Sequence, residues 1–142
     1  MELVAKDIQY YRNRSIDWLK GKARDNFNAW IRKRDRYGDY FTCISCNRTL
    51  RITNYANGGN YHAGHYYAGT ESALKYNEVN VNGQCGQCNT HLHSNAIGYR
   101  KGLVKKYGEE KVLELDQLDA IYKRTFYKWD RFLLISIILK YK

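Results

Sequence analysis

The chain reads as an α+β fold, with helices flanking a short central stretch of strands and metal-binding turns, and three observations predict it. Apolar residues recur at intervals of three and four near both ends, the period of an amphipathic helix. The segment from Tyr61 to Asn95 reads as strand, loop, zinc knuckle and helix start, and it holds all four histidines. The four cysteines fall into two Cys-x-x-Cys pairs, Cys43 with Cys46 and Cys85 with Cys88, a spacing typical of zinc sites.

At 142 residues the chain is the size of one ordinary domain, able to bury roughly two-thirds of the surface its unfolded form exposes. We read residues 1–142 as a single domain, with a loose arm over 1–14, a basic helix over 15–37, a zinc and catalytic core over 41–95 and a helical tail over 96–142. The formal charge of +10, from 24 Lys and Arg against 14 Asp and Glu, favours a polyanionic partner, nucleic acid first. The N-terminal stretch lacks the apolar segment of a secretory signal, which predicts a cytoplasmic protein. The longest apolar run, Phe132 to Leu139, contains Ser136 and is far shorter than the roughly 20 residues needed to span a bilayer, so no membrane role is expected. Without an oxidising compartment, paired cysteines read as metal ligands before disulfides.

Taken in order, residues 1–14 show no clear period. From Ser15 to Tyr37, Leu19, Ala23, Phe27, Trp30 and Ile31 line one helix face, and Gly38 is expected to end the helix. The other face is basic. Lys20, Lys22, Arg24, Arg32, Lys33, Arg34 and Arg36 read either as a phosphate-tracking surface or as a solvated face. Cys43 and Cys46 bracket a knuckle, followed by a strand over 51–55. Gly58 and Gly59 allow a tight reversal before a Tyr- and His-rich strand over 61–68, and residues 71–82 read as an irregular loop. Gly83 opens the second knuckle, and a helix follows from Asn89 to Gly108, although Gly98 and Gly102 weaken its propensity. The tail predicts two helices with a break near Arg124 and Thr125. The last is apolar nearly all round, so it packs on its own chain or offers a face for a homodimer. A tetrahedral site of Cys43, Cys46, Cys85 and Cys88 would hold structural Zn2+ and bring the two knuckles together.

Hydrolysis of a phosphodiester needs a base to activate water, a divalent cation to neutralise developing charge, and groups that hold the phosphate in line. An imidazole at a strand end and a cation on the facing helix meet those needs, and a histidine-bearing strand, loop, knuckle and helix present them in that order. His65 lies on the strand, with Asn89, His91 and His93 on the far side. His-Ala-Gly-His-Tyr at 62–66, the run from Leu74 to Asn89 through Gln-Cys-Gly-Gln-Cys-Asn, Ser94-Asn95, Tyr99-Arg100, the run from Asn26 to Asp35 and Cys43-Ile-Ser-Cys46 together resemble the NinG/Rap family of lambdoid phage recombination nucleases. The resemblance covers residues 15–115.

That resemblance implies an HNH-like, ββα-metal core and an endonuclease acting on branched DNA such as Holliday junctions and D-loops, with Mg2+ or Mn2+ as catalytic cation. It puts His65 in the place of the general base, Asn80 in that of the asparagine fixing the loop between strands, and Asn89, directly after Cys88, in that of a cation ligand. An acidic residue usually precedes the base in such enzymes, and here that position is Gly64. His62 is the substitute ligand, although an odd separation from His65 puts the two on opposite strand faces unless Ala63-Gly64 forms a bulge. Glu71 and Glu78 are the carboxylates near enough in sequence to serve instead. His93, four residues after Asn89, reads as a third ligand or a phosphate contact on the same helix face. Candidate phosphate contacts are Lys20, Arg24, Arg32, Arg34, Arg36, Arg48, Arg51, Arg100, Lys101, Lys105 and Lys106. Two other readings stand beside this one: a zinc-stabilised DNA-binding module without catalysis, and a sequence-reading HNH endonuclease on linear duplex.

Overall fold

Helix α2 (Ile16–Asp35) forms where the apolar period predicts it. Ser15 starts it, its Oγ accepting from the Trp18 amide at 3.1 Å, and Leu19, Ala23, Phe27 and Ile31 are wholly buried along one stripe. These features belong to a computed structural model that describes residues 5–53, 59–68, 72–123 and 127–142. The helix stops at Asp35. Arg36–Tyr37 forms strand β1, which pairs antiparallel with β2 (Tyr40–Thr42). Gly38, expected to end the helix, instead sits in the hairpin turn at φ +59°, a conformation a residue with a β-carbon rarely adopts. Strand β3 (Thr49–Arg51) completes a sheet of order β1-β2-β3. The strand expected over 51–55 therefore lies earlier, and 54–58 are outside the described residues.

Contacts divide the chain into two compact units, where the sequence predicted one domain. The first comprises Met1–Trp30 and Lys128–Lys142. Its residues 5–11, expected as part of a loose arm, form helix α1 (Ala5–Tyr11), because Tyr11 is buried and its ring lies 6.1 Å from that of Trp18. Helix α5 (Arg131–Lys140) begins at Asp130, whose Oδ1 accepts from the Leu133 amide at 2.9 Å. Leu134, Ile135 and Ile138 are buried. Asn26 Nδ2 donates to Ile138 O, and Tyr141 meets Phe27 edge-on at 4.8 Å. Much of the apolar surface of the last helix is thus used within the chain.

The second unit is Ile31–Tyr127. Strands β4 (Tyr61–His65) and β5 (Val81–Cys85) pair antiparallel in unbroken register, from Tyr61 opposite Cys85 to His65 opposite Val81. The sequence predicts a loop over 81–82 and a knuckle over 83–85; the strand is hidden because Val-Asn-Gly-Gln-Cys carries three polar or glycine positions, yet all five residues are buried. After β5 the backbone makes a π-helical turn (Gln87–His91) and a 3-10 turn (His93–Asn95) before α3 (Ala96–Tyr107). The helix expected from Asn89 therefore starts seven residues later. Its two glycines have a reason: a β-carbon at Gly98 would collide with Ser45 O, and one at Gly102 with Ile44 O, so α3 lies directly on the first knuckle. Gly108, at φ +88°, ends α3, and α4 (Glu109–Tyr122) follows. Ile44, Leu74, Tyr99, Leu103, Val112 and Leu115 form one core cluster. Phe41 and Tyr61 stack at 4.2 Å in another that includes Cys43, Cys85 and Cys88. The break expected near Arg124 and Thr125 falls outside the described residues, between α4 and α5. No helix among the described residues is long and apolar enough to cross a membrane.

Candidate functional site

The two knuckles meet although Cys46 and Cys85 stand 39 positions apart in sequence, with their sulfurs 3.9 Å apart. All four cysteine Sγ atoms lie within 4.8 Å of one another, and only Cys46 is not fully buried. Sulfurs around one tetrahedral zinc stand roughly 3.8 Å apart at a Zn–S length of about 2.3 Å, so the donor set is compatible with that ion. The cysteines also receive N–H donors: Cys43 from the Cys85 amide (3.3 Å), Cys85 from the Cys88 amide (3.4 Å) and Cys88 from Asn95 Nδ2 (3.5 Å). Burial raises the Cys43 pKa to about 12. At Cys46 burial acts the same way, but hydrogen bonds led by Arg48 outweigh it and bring the pKa to about 7.

Gly86 continues the chain from the sheet into the π-helical turn, which sets Asn89 against β4. Asn89 Nδ2 lies 3.0 Å from His62 Nδ1, and His62 Nε2 lies 3.2 Å from Gly59 O. A carbonyl only accepts, so Nε2 carries the proton and Nδ1 presents its lone pair to Asn89. This is the arrangement common to metal-binding histidines, in which the nitrogen away from the metal donates to a backbone carbonyl. Rotating the Asn89 amide, whose O and N are interchangeable by assignment, would turn an oxygen to the same point. After that rotation His62 and Asn89 would form a nitrogen–oxygen pair; both are half-buried.

The unbroken register excludes the bulge at Ala63-Gly64, so His65 projects from the face opposite His62 at the end of β4. Its Nε2 donates to Lys75 O at 2.9 Å, which leaves Nδ1 as the acceptor nitrogen. Burial lowers its pKa and keeps the ring neutral. Asn80 is wholly buried and closes the loop between the strands. Its Oδ1 accepts from the Tyr67 amide (2.8 Å), while Nδ2 donates to Tyr67 O (2.9 Å) and Leu74 O (3.1 Å).

His93 does not share a helix face with Asn89: His93, Ser94 and Asn95 have φ of +47°, +71° and +43°, which breaks the four-residue repeat, and both His91 and His93 are exposed. Glu71 lies outside the described residues, and the structure gives Glu78 a role through its backbone, as an acceptor for Arg34.

Among the basic residues, Lys20 is half-buried and Arg24 pairs with Asp25; Arg36 and Arg51 are exposed and Arg32 is half-buried. Three others are held by the fold. Arg34 donates to Glu78 O, Val81 O and Asn82 Oδ1 and pairs with Asp35, because the buried start of β5 needs donors. Arg48 donates to Cys46 Sγ at 3.3 Å and Gln87 Oε1 at 3.0 Å. Arg100 grips Asp116 with two nitrogens, at 3.1 and 2.7 Å, and reaches Tyr66 Oη at 3.2 Å. Lys101 and Lys105 are exposed, whereas Lys106 binds Asp35 and Asn82.

Two residues escaped sequence reading. Tyr99, wholly buried, donates from Oη to Gly64 O at 2.6 Å and so pins β4 to α3. Gln84, also wholly buried, donates to Ser45 Oγ and Ser94 O. A period-two pattern through 81–85 would have been the only signal for Gln84, and polar residues there mask it.

The NinG family model, described as Bacteriophage Lambda NinG protein, matches residues 6–142. Similar proteins include protein ninG of Escherichia phage lambda, 37% identical over 100 residues, which cover 70% of this chain and 44% of that protein. Protein ninG of Salmonella phage P22 is 33% identical over 113 residues, covering 79% and 48%. The chain therefore spans less than half the length of these relatives. No solved structure matches it. With a family match running from residue 6 to the last residue and these identities over more than two-thirds of its length, the chain belongs to the NinG family of lambdoid phage proteins.

Proposed function

We propose that the chain is a metal-dependent, structure-selective DNA endonuclease with an HNH-like ββα-metal core, acting on branched recombination intermediates such as Holliday junctions and D-loops. The observation that carries this reading is the 3.0 Å approach of Asn89 to the lone pair of His62, on the same strand that ends in the anchored, neutral His65. His65 Nδ1 takes a proton from water as the water oxygen bonds to phosphorus and the bond to the 3′ oxygen breaks; that oxygen takes a proton from solvent, leaving 5′-phosphate and 3′-hydroxyl ends. With the Asn89 amide turned, His62 and Asn89 would hold a hard divalent cation, Mg2+ or Mn2+, as a nitrogen–oxygen pair. When bound there, the cation supplies charge neutralisation at the phosphate. Asn80 acts by position, holding the loop that carries Lys75 O and hence the ring of His65. Zinc at the four cysteines is structural.

Lys20, Arg24, Arg32, Arg36 and Arg51 are the phosphate contacts in this reading. Arg34 and Arg48 serve the fold. Phosphate contacts position a duplex without reading its bases, so shape selects the substrate. A four-way junction has two strands to cut, which suits a homodimer; Phe132 of α5, 61% exposed, is an apolar group available for it.

The test is cleavage of labelled four-way, three-way, flap and linear DNA of unrelated sequences, with Mg2+ or Mn2+ against EDTA, and with His65→Ala as control. Cation-dependent cuts near branch points, absent in the variant, are expected. Binding without cutting would replace the enzyme with a DNA-binding module, and fixed cuts in linear duplex would keep the chemistry but reject the substrate.

A further inference from the structure

Among the described residues, Gln84 carries an anomaly of the second unit that points to a ligand. Its side chain is wholly buried, and its Nε2 is fixed by Ser45 Oγ at 2.8 Å and Ser94 O at 2.7 Å. Ser94 O only accepts, so the amide cannot be turned over, and Oε1 is directed the other way. There it meets no donor: Gln84 Oε1 is a buried oxygen without a hydrogen-bond partner. Buried acceptors are nearly always satisfied, and an orphan calls for an explanation such as an ion.

The surroundings supply one. Gln84 stands directly opposite His62 in the β4–β5 register, so both side chains rise from the same face of the hairpin, with Cβ atoms about 5 Å apart. Gly64, two residues from His62, belongs to that face as well. A β-carbon at Gly64 would collide with Gln84 Oε1. The carboxamide oxygen thus occupies the place where a side chain at 64 would begin, on the hairpin face that also carries His62, whose lone pair faces Asn89.

We infer that Gln84 Oε1 is an oxygen donor to the divalent cation held by His62 and Asn89, standing in through space for the side chain that Gly64 lacks. The inference rests on the proposed His62–Asn89 site. It assigns Gly64 a purpose: a larger residue there would displace the oxygen.

The experiment is a Mn2+ titration followed by calorimetry and by the electron paramagnetic resonance of free Mn2+, on the whole zinc-loaded chain. Wild type is compared with Gln84→Ala, His62→Ala, Asn89→Ala and the double variant Gly64→Asp with Gln84→Ala. The visible spectrum of Co2+ exchanged into the cysteine site reports folding in each. Gln84→Ala is expected to weaken Mn2+ binding by about tenfold or more, the scale on which groups around a metal act. The double variant, which puts a carboxylate oxygen into the space vacated, restores it. Unfolding cannot produce that rescue. Binding unchanged in Gln84→Ala but lost in His62→Ala overturns the role of Gln84 alone. Binding lost in Gln84→Ala and not restored in a folded double variant overturns it too. Binding indifferent to His62→Ala and Asn89→Ala overturns both this inference and the site beneath it.

Discussion

The cysteine cluster and the His62–Asn89 pair sit at the same end of one hairpin, yet they differ in how far their surroundings are filled. Three of the four cysteines are fully buried, and the four sulfurs form a complete set of one donor type. His62 and Asn89 are half-buried and offer two unlike donors. A closed thiolate set holds a metal as part of the fold, whereas a mixed, incomplete set leaves positions for a substrate. The difference teaches that, in the reading proposed above, one short segment, β5 through Asn89, would serve both purposes, with Cys88 and Asn89 adjacent in sequence.

The largest effect should come from breaking the closed set. Cys88→Ser is expected to abolish zinc binding and the cooperative melt of the second unit, because structural zinc contributes apparent free energies of about 10 kcal/mol or more. Zinc content and circular dichroism check this. A variant that keeps stoichiometric zinc and its melt would reduce the cluster to four ordinary thiols. Breaking the open site should do the reverse. His65→Ala is expected to lower the cleavage rate by about 10²–10⁴-fold, the usual contribution of a general base, with zinc content unchanged. If its zinc were lost as well, the two sites would not be separable.

A third substitution probes what joins them. Gly102→Ala puts a methyl group into Ile44 O, behind the first knuckle, and overpacking of this kind is expected to cost about 3 kcal/mol. Chemical denaturation measures it. A neutral result would mean that α3 can move off the knuckle.

Acidity sharpens the contrast through His65. Burial lowers its folded pKa below the ordinary value, about 6.5 in an unfolded chain. Above that pH neither state binds the proton and stability is level with respect to this group. As pH falls below about 6.5 the unfolded chain gains a proton that the folded ring refuses, so stability declines until the folded pKa is passed. The acid limb of kcat/KM should likewise lie below about 6.5, and His65→Ala should flatten that part of the stability profile. An acid limb above 6.5 would contradict a neutral, buried base.

The sequence makes the cysteine site legible and the open site only partly so, for physical reasons. Four cysteines at knuckle spacing specify a donor set whatever path joins them. Helix α2 was equally plain, since Leu19, Ala23, Phe27 and Ile31 repeat at one period. Strand β5 is not, because Asn82 and Gln84 are buried polar residues whose partners, Arg34, Lys106 and Ser45 among them, lie far away in sequence. The shared face expected of His93 and Asn89 is absent because the helical repeat ends at His93 itself, where φ is +47°. Gly98 and Gly102 read as flaws in a helix, and their value appears only against Ser45 and Ile44. Periodicity reveals what a segment does for itself; it is silent on what a distant segment requires of it.

The smallest stability effect is expected where the open site shades into the basic surface. Arg100 and Asp116 form a two-point ion pair, but their side chains are 41% and 27% exposed, so solvent screening limits its worth to about 1 kcal/mol or less. Asp116→Asn should therefore barely shift the melt. It would, however, loosen the grip on a guanidinium beside Tyr66, which directly follows His65. If Arg100 meets a phosphate once released, the slope of log affinity for branched DNA against log salt should steepen by about 0.9, the increment for one neutralised phosphate. An unchanged slope would assign Arg100 to the fold alongside Arg34 and Arg48, and would leave the cations of α2, β1 and β3 to carry the phosphate contacts.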